Sequence, residues 1–404
     1  MTARNDFNGV ISDWLDEQVG RGAPDYLDEV LARTTRSRQR PAWSSLERFL
    51  PMQTTLRFAP VPRVAWLLVI LGLLIAVAAT ALWTVGSRPR LPAPFGPAAN
   101  GVIAFGAANG DIHLFDPASG ASRPLIVGAG KDADPVFSPD GALLAFGRQG
   151  EGQSAWQIVA ADADGSHVRP LTELIYPDEK SWSPDSAHLA VIDSALTIHS
   201  LDGSAAVALP IGMLAQRVQW RSRSELVFVG TKGPTIGLYV VATDGAAPRE
   251  LLPPTTVDTD WLDPVVSPDG TRIVWTKWAG GPVIHILDIA TGADRVPVFD
   301  GSAEGDGWPT WSADGTRLLF SRWNGTENHL AVGPVGGGHV VETGPGFPDF
   351  TNGAVGVFSP DGTRIIAGYG NDPTARWILD SAGGPGQRIL TDLSGDASWQ
   401  RLAP

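Results

Sequence analysis

The chain has 404 residues, 43% of them hydrophobic and 18% charged, with 47 glycines, 33 prolines, 15 tryptophans and no cysteine. The lack of cysteine excludes disulfides, thiolate zinc sites and cysteine nucleophiles. The formal charge of −13 is uneven: residues 1–63 carry nine arginines against eight acids, and residues 91–404 carry 19 basic against 35 acidic side chains. A part that acidic repels phosphate backbones, so nucleic-acid binding is not expected of it.

Residues 1–63 form a tail with two short amphipathic stretches. Phe7, Val10, Ile11, Trp14 and Leu15 fall at helical spacing, as do Tyr26, Leu27, Val30 and Leu31, with Pro24 at a helix start. Neither stretch is long enough to be stable alone. They read either as docking helices for a cytoplasmic partner or as a membrane-surface, partly disordered tail. Residues 64–86 read as a transmembrane helix. Ala65–Thr84, AWLLVILGLLIAVAATALWT, is 20 residues without a charge, and reaches ~30 Å at a helical rise of ~1.5 Å per residue. Trp66 and Trp83 stand at its ends, where amphipathic rings favour the interface. Arg38, Arg40, Arg48, Arg57 and Arg63 precede it, and only Arg88 and Arg90 follow closely. That bias places the N-terminus in the cytoplasm and residues 91–404 outside it. Residues 87–100, with RPRLPAPFGP, read as an extended spacer.

From residue 101 a unit of about 45 residues recurs. Its mark is a tetrapeptide: SPDG at 138–141, SPDS at 183–186, SPDG at 267–270, SADG at 312–315 and SPDG at 359–362. Phe137, Trp182, Trp220, Val266, Trp311, Phe358 and Trp399 anchor the units, at spacings of 45, 38, 46, 45, 47 and 41. Each anchor is expected to end a strand a. A turn follows, then an apolar strand b such as LLAF (143–146) or RIVW (272–275), then strand c such as IHILD (284–288) and a short strand d. The period is that of one four-stranded propeller blade. The fold expected of residues 101–404 is therefore an all-β, seven-bladed β-propeller, with six or eight blades left open by the degenerate QWRSRSELVF (219–228). ASWQRL, near the C-terminus, is expected to supply strand a of the first blade and close the ring.

The tetrapeptide has the chemistry of a type I turn. Proline pre-sets φ, serine and aspartate bond local N–H groups, and glycine accepts a positive φ. Ser138, Pro139, Asp140 and Gly141, with Pro268, Asp269, Gly270, Pro360, Asp361 and Gly362, are read as structural turns. A catalytic serine or aspartate is needed once, not in five separate blades.

The repeat resembles the WD40-like PD40 repeats of the Tol-system propeller protein of Gram-negative bacteria, and those of the propeller domains of prolyl oligopeptidase-type peptidases. The resemblance implies the propeller fold over about 300 residues and leaves the function open, since this repeat serves in binding, scaffold and gating roles. Those peptidases add an α/β-hydrolase domain, for which the chain has no room, and no G-x-S-x-G motif occurs. Residues 21–52, followed by a span, are similar to the cytoplasmic tails of bacterial single-pass proteins grouped with anti-sigma factors, but the paired cysteines of the zinc-binding members are absent.

Candidate binding residues stand three places before each anchor, where strand a begins at the mouth of the central channel: Asp134, Glu179, Arg217, Asp263, Trp308, Val355 and Asp396. Carboxylates gathered there would hold Ca²⁺ or attract a cationic group of a peptide. No other cofactor is expected, and no catalytic residue. His113, His199 and His285 share one position of strand c and are expected to pack, not to ligate metal. The stretch VGAGKDAD (127–134) lacks the first glycine and the Ser/Thr of a phosphate loop, and Asn324 heads a sequon within a blade turn. The expectation is a non-enzymatic protein of a bacterial cell membrane, its external propeller binding a protein or peptide or acting as a scaffold. The alternative is a transmembrane regulator whose tail binds a sigma factor.

Overall fold

A computed structural model of the protein describes residues 96–174, 180–256, 263–278, 280–301, 303–347, 355–369, 372–390 and 393–402. The chain divides into two units, Met1–Arg88 and Pro89–Pro404. The tail and the apolar segment 64–86 lie outside the described residues. Among the described residues no helix is long and apolar enough to cross a membrane.

Seven four-stranded antiparallel sheets follow one another in the chain. They are the blades of a propeller, numbered here 1 to 7, with strands a to d from the channel outward. Strand a of blades 2 to 7 is Lys131–Phe137, Lys180–Trp182, Leu214–Trp220, Val265–Val266, Gly305–Trp311 and Val355–Phe358. Each ends on its expected anchor. Strand a of blade 1 is Leu393–Leu402, which pairs antiparallel with Ala99–Ala107 and closes the ring through Ile103 opposite Trp399. Blade count is thus seven. The degenerate stretch still makes strands a and b of blade 4, because Leu226–Val229 keeps the buried apolar run and Arg221 N–H bonds the Glu225 carbonyl at 3.0 Å to close the hairpin.

The core lies between blades, not within them. Ala104, Ile112 and Leu114 of blade 1 cluster with Phe137, Leu144 and Phe146 of blade 2. Ile198 of blade 3 meets Trp220 and Phe228 of blade 4, and Ile366 and Ile378 of blade 7 meet Ile103, Phe105 and Trp399 of blade 1. A blade is therefore covered on both faces. This is why strands b read as continuous apolar runs instead of alternating ones. His113 and His285 pack against Phe105 and Trp275 of their own blades, at ring separations of 5.8 and 4.7 Å.

The repeated turn works twice. Within a blade, the serine hydroxyl donates to the aspartate carboxylate at 2.5 to 2.6 Å in all five copies. The same serine oxygen accepts the N–H five residues on, at 2.9 to 3.0 Å. Burial pushes the Asp185, Asp269, Asp314 and Asp361 carboxyls up, but the donated hydrogen bonds outweigh it and hold them below the ordinary carboxylate value. Between blades, the carbonyl of the turn glycine accepts from the preceding blade: Gly141 from Gln400 at 2.8 Å, Gly270 from Arg221 at 3.1 Å, Gly315 from Arg272 at 3.1 Å and Gly362 from Arg317 at 2.6 Å. The anchors add a second tie. Trp182, Trp220 and Trp311 donate their indole N–H to the carbonyls of Val136, Ser181 and Val265 in the preceding blade, at 3.0, 3.0 and 2.8 Å.

Gly270 is therefore fixed for two reasons. Its φ is +70°, and a Cβ there would stand on the Arg221 carbonyl oxygen. Gly203 has φ +83° but open space around it. Gly270→Ala is expected to lower stability by roughly 2–4 kcal/mol, and Gly203→Ala by only about 1 kcal/mol, since the second pays for φ alone. Thermal unfolding of the two variants checks this; equal losses would mean that the neighbouring blade does not confine the turn.

Candidate functional site

Strand a runs from the channel mouth, where the loops joining d to a and b to c lie, to the opposite face that carries the SPDG turns. Near its mouth end three strands carry the same distortion. The pairing of a with b slips between Ala133 and Val136, Gln216 and Gln219, and Gly307 and Thr310. Within these bulges Asp134, Arg217 and Trp308 sit at φ 51°, 53° and 51°. Left-handed backbone is costly for non-glycine residues, and its repetition at one position in three blades marks a place where side chains are deliberately re-aimed. Two ion pairs brace strand a just before the bulge. Arg148 holds Asp132 at 2.7 and 2.9 Å, and Arg322 holds Asp306 at 2.9 and 3.3 Å. Burial pushes the Asp306 carboxyl up in spite of its arginine.

The expected mouth residues are brought together in pairs. Arg217 meets Asp263 of the next blade at 3.1 Å. Asp134 accepts the Asp396 backbone N–H at 3.3 Å. Trp308 N–H donates to Thr276 of the preceding blade at 2.9 Å. Glu179 lies outside the described residues. Among the described residues no group of three or more histidine or carboxylate side chains gathers to hold a metal ion.

A cleft of about 200 Å³ lies between blades 5 and 6, where Pro282, Phe299, Glu304 and Asp306 are among its walls, and another, of about 220 Å³, opens at the mouth between blades 7 and 1. Val355, Val357, Ile366 and Ala397 supply apolar walls, and Arg376 and Asp396 the polar ones. Val355 and Val357 are 50% and 41% exposed. Arg376, only 12% exposed, reaches Asp396 at 3.7 Å. At this seam the indole tie is missing. The Trp399 N–H is buried without a hydrogen-bond partner, and the carbonyl that corresponds to those used by Trp182, Trp220 and Trp311 belongs to Val357, a wall of the cleft. At its other end the seam is closed. There Ala98 N–H bonds the Pro360 carbonyl at 3.0 Å, and Asn100 accepts the Asp361 N–H at 3.1 Å.

Sequence reasoning located Val355 and Asp396 but missed Val357 and Arg376, which lie on strands whose patterns carry no sign of a cleft. A Ser–His–Asp group does occur in the blade 2 turn between strands c and d, where His167 Nδ1 meets both Ser166 at 3.2 Å and Asp162 at 2.8 Å. Both partners use one ring nitrogen. The imidazole therefore cannot take a proton from serine while giving one to aspartate, and the group is not a catalytic relay.

The described part of the chain is a seven-bladed β-propeller with a cleft at its ring seam. No protein-family model matches the chain. A curated protein of Bacillus subtilis (strain 168), named uncharacterized peptidase YuxL, is 29% identical over 171 residues, which are 41% of this chain and 25% of the relative. The chain thus spans about a quarter of the length of that relative. Among solved structures, an oligogalacturonate lyase in complex with manganese aligns at TM-score 0.55 and 13% identity, over 74% of this chain and 86% of its own. A prolyl endopeptidase aligns at 0.54 and 13%, over 79% and 54%. The Acinetobacter baumannii TolB aligns at 0.47 and 15%, over 74% and 66%. The expectation of a non-enzymatic protein is corrected by these comparisons. The relative found by sequence bears the name of a peptidase, and the two better-aligned structures are enzymes. The reason it failed is that the repeat fixes the fold and carries no catalytic signature that a motif search could find.

If the bulge residues are kept for their side chains and not for stability, Arg217→Gly should be nearly neutral. Relief of the left-handed backbone offsets loss of an exposed ion pair, leaving the urea midpoint within about 0.5 kcal/mol of the parent. Gln216→Gly, one residue earlier, is expected to cost about 1 kcal/mol. Equal losses would mean that the bulge is not strained.

Proposed function

We propose that this chain is the polypeptide-binding propeller of a peptidase-type enzyme, held at the outer face of a bacterial cell membrane by residues 64–86, with the tail of residues 1–63 meeting a cytoplasmic partner. The observation that carries this reading is the seam cleft. It joins two exposed valines to a guanidinium, a carboxylate and, behind them, an unpaired indole N–H. An extended polypeptide has the matching chemistry. An apolar side chain fills the space between Val355 and Val357, backbone carbonyls accept from Arg376, and amide or ammonium groups donate to Asp396. The peptidase name of the sequence relative supports a polypeptide over a sugar polymer. The 35 acidic side chains of residues 91–404, against 19 basic ones, favour basic polypeptides. In this reading the propeller selects and presents the chain that is to be cut.

The test is binding of a fluorescent, unstructured basic polypeptide to the full-length protein in detergent, followed by anisotropy. Val355→Asp and Val357→Asp are expected to weaken binding about tenfold or more, because a bound apolar side chain would have to cover and desolvate the new carboxylate. Val168→Asp, at an exposed valine of blade 2 away from the mouth, is expected to leave binding unchanged. Unaltered affinity in both cleft variants would remove the cleft from the account.

A further inference from the structure

The joint between blades 3 and 4 differs from joints 5/6 and 6/7. At joints 5/6 and 6/7 strand b of the earlier blade begins with an arginine. Its guanidinium lies over the next anchor ring, Arg272 at 4.8 Å from Trp311 and Arg317 at 5.2 Å from Phe358, and it donates to the turn carbonyl of Gly315 or Gly362. In blade 3 that first residue is His188, a shorter side chain whose ring stands 6.3 Å from Trp220. The turn after Trp220 runs from Arg221 to Glu225 and has no glycine to receive it.

The space filled by arginine at those two joints is here a cavity of about 350 Å³, lined by residues that include His188, Ser200, Asp202, Ser204, Trp220 and Arg223. It opens on the face of the SPDG turns, opposite the channel mouth. Its walls carry opposite charges. Asp202, in the turn between strands c and d of blade 3, accepts the Ser204 hydroxyl at 2.7 Å and its N–H at 2.9 Å. These bonds hold its carboxyl down at about 2, so it is ionised in any ordinary buffer. Arg223 comes from blade 4, and its charge helps to hold down the Asp185 carboxyl of the blade 3 turn. A plain anion entering this cavity meets Asp202, and a plain cation meets Arg223. A molecule with both charges satisfies both walls.

We propose that this cavity binds a small zwitterion of dipeptide size, its ammonium group over Trp220 and toward Asp202, and its carboxylate on Arg223. The ammonium takes the place that an arginine of the chain occupies at joints 5/6 and 6/7, and the carboxylate accepts from the N–H fork of Arg223 in competition with Asp185. The cavity volume lies at the lower end of the range for small-ligand sites, ~300–1,000 Å³, which suits a dipeptide better than a longer chain. This site does not depend on the polypeptide reading of the seam.

Calorimetry on the full-length protein in detergent, with alanyl-alanine, its N-acetyl form and its C-terminal amide, tests the proposal. The free dipeptide is expected to bind saturably, and either cap to weaken it about tenfold or more, the usual cost of losing a charge-assisted pair. Arg223→Ala, at an exposed position that does not endanger folding, is expected to weaken the free dipeptide to the level of its amide. Asp202→Asn is expected to weaken it to the level of the N-acetyl form, with the thermal midpoint recorded to exclude damage to the turn. Val355→Asp at the seam is expected to leave dipeptide binding unchanged. Capped dipeptides that bind as tightly as the free one, binding abolished by Val355→Asp, or no saturable binding of any of the three would overturn the proposal.

Discussion

A hydrogen bond from the side chain of one blade to a backbone carbonyl of its neighbour is the interaction on which the rest of this molecule depends. A four-stranded sheet with both faces apolar has no fold of its own; it must be covered twice. Dispersion and burial supply the covering but no register, because apolar surfaces slide. The indole of Trp182, Trp220 or Trp311 and the guanidinium of Arg272 or Arg317 supply the register, each reaching one defined carbonyl. Where the anchor is not tryptophan, another side chain takes the task. Ser398 accepts Phe137 N–H at 3.1 Å, and Gln219 bridges Pro264 and Val266 at 3.1 and 2.9 Å.

Cavities open at two joints that lack one of these ties, and also at blades 5 and 6, whose joint keeps both the Trp311 indole and Arg272. At the seam of blades 7 and 1 the Trp399 indole has no acceptor and a cleft opens at the mouth. At blades 3 and 4 the crossing arginine and its glycine are both absent, and a charged cavity opens on the other face. At the seam and at blades 3 and 4, the side chain missing from the joint leaves space and polar groups in need of partners. Repeat proteins can specialise by this route without altering the architecture, since each joint involves only its two neighbours.

Much of this was legible in the sequence, for reasons that differ by element. The anchors and SPDG turns were readable because their chemistry is local: proline, serine and aspartate satisfy backbone groups within five residues, and the copies confirm one another. The role of Gly270 between blades was not, since the Arg221 carbonyl that confines it belongs to another blade. The mouth position of Asp134, Arg217 and Trp308 was legible by register, but their left-handed backbone was not, because none is a glycine and the flanking residues read as ordinary strand. Val357 and Arg376 were invisible because a cleft is a property of two blades brought together. The absence of catalytic motifs was taken as absence of an enzymatic role, and that step was wrong, since the relative found by sequence bears the name of a peptidase.

The central claim is that the seam of blades 7 and 1 is open at its mouth end so as to receive an extended polypeptide. Hydrogen exchange of the full-length protein, with and without a saturating basic polypeptide, tests it most directly. The account predicts that the mouth halves of Val355–Phe358 and Leu393–Leu402 exchange faster than strand a of the blades whose joints carry an indole tie, and that they are the segments most slowed by the polypeptide. Uniform exchange around the ring, or protection at other blades with none at the seam, would contradict it.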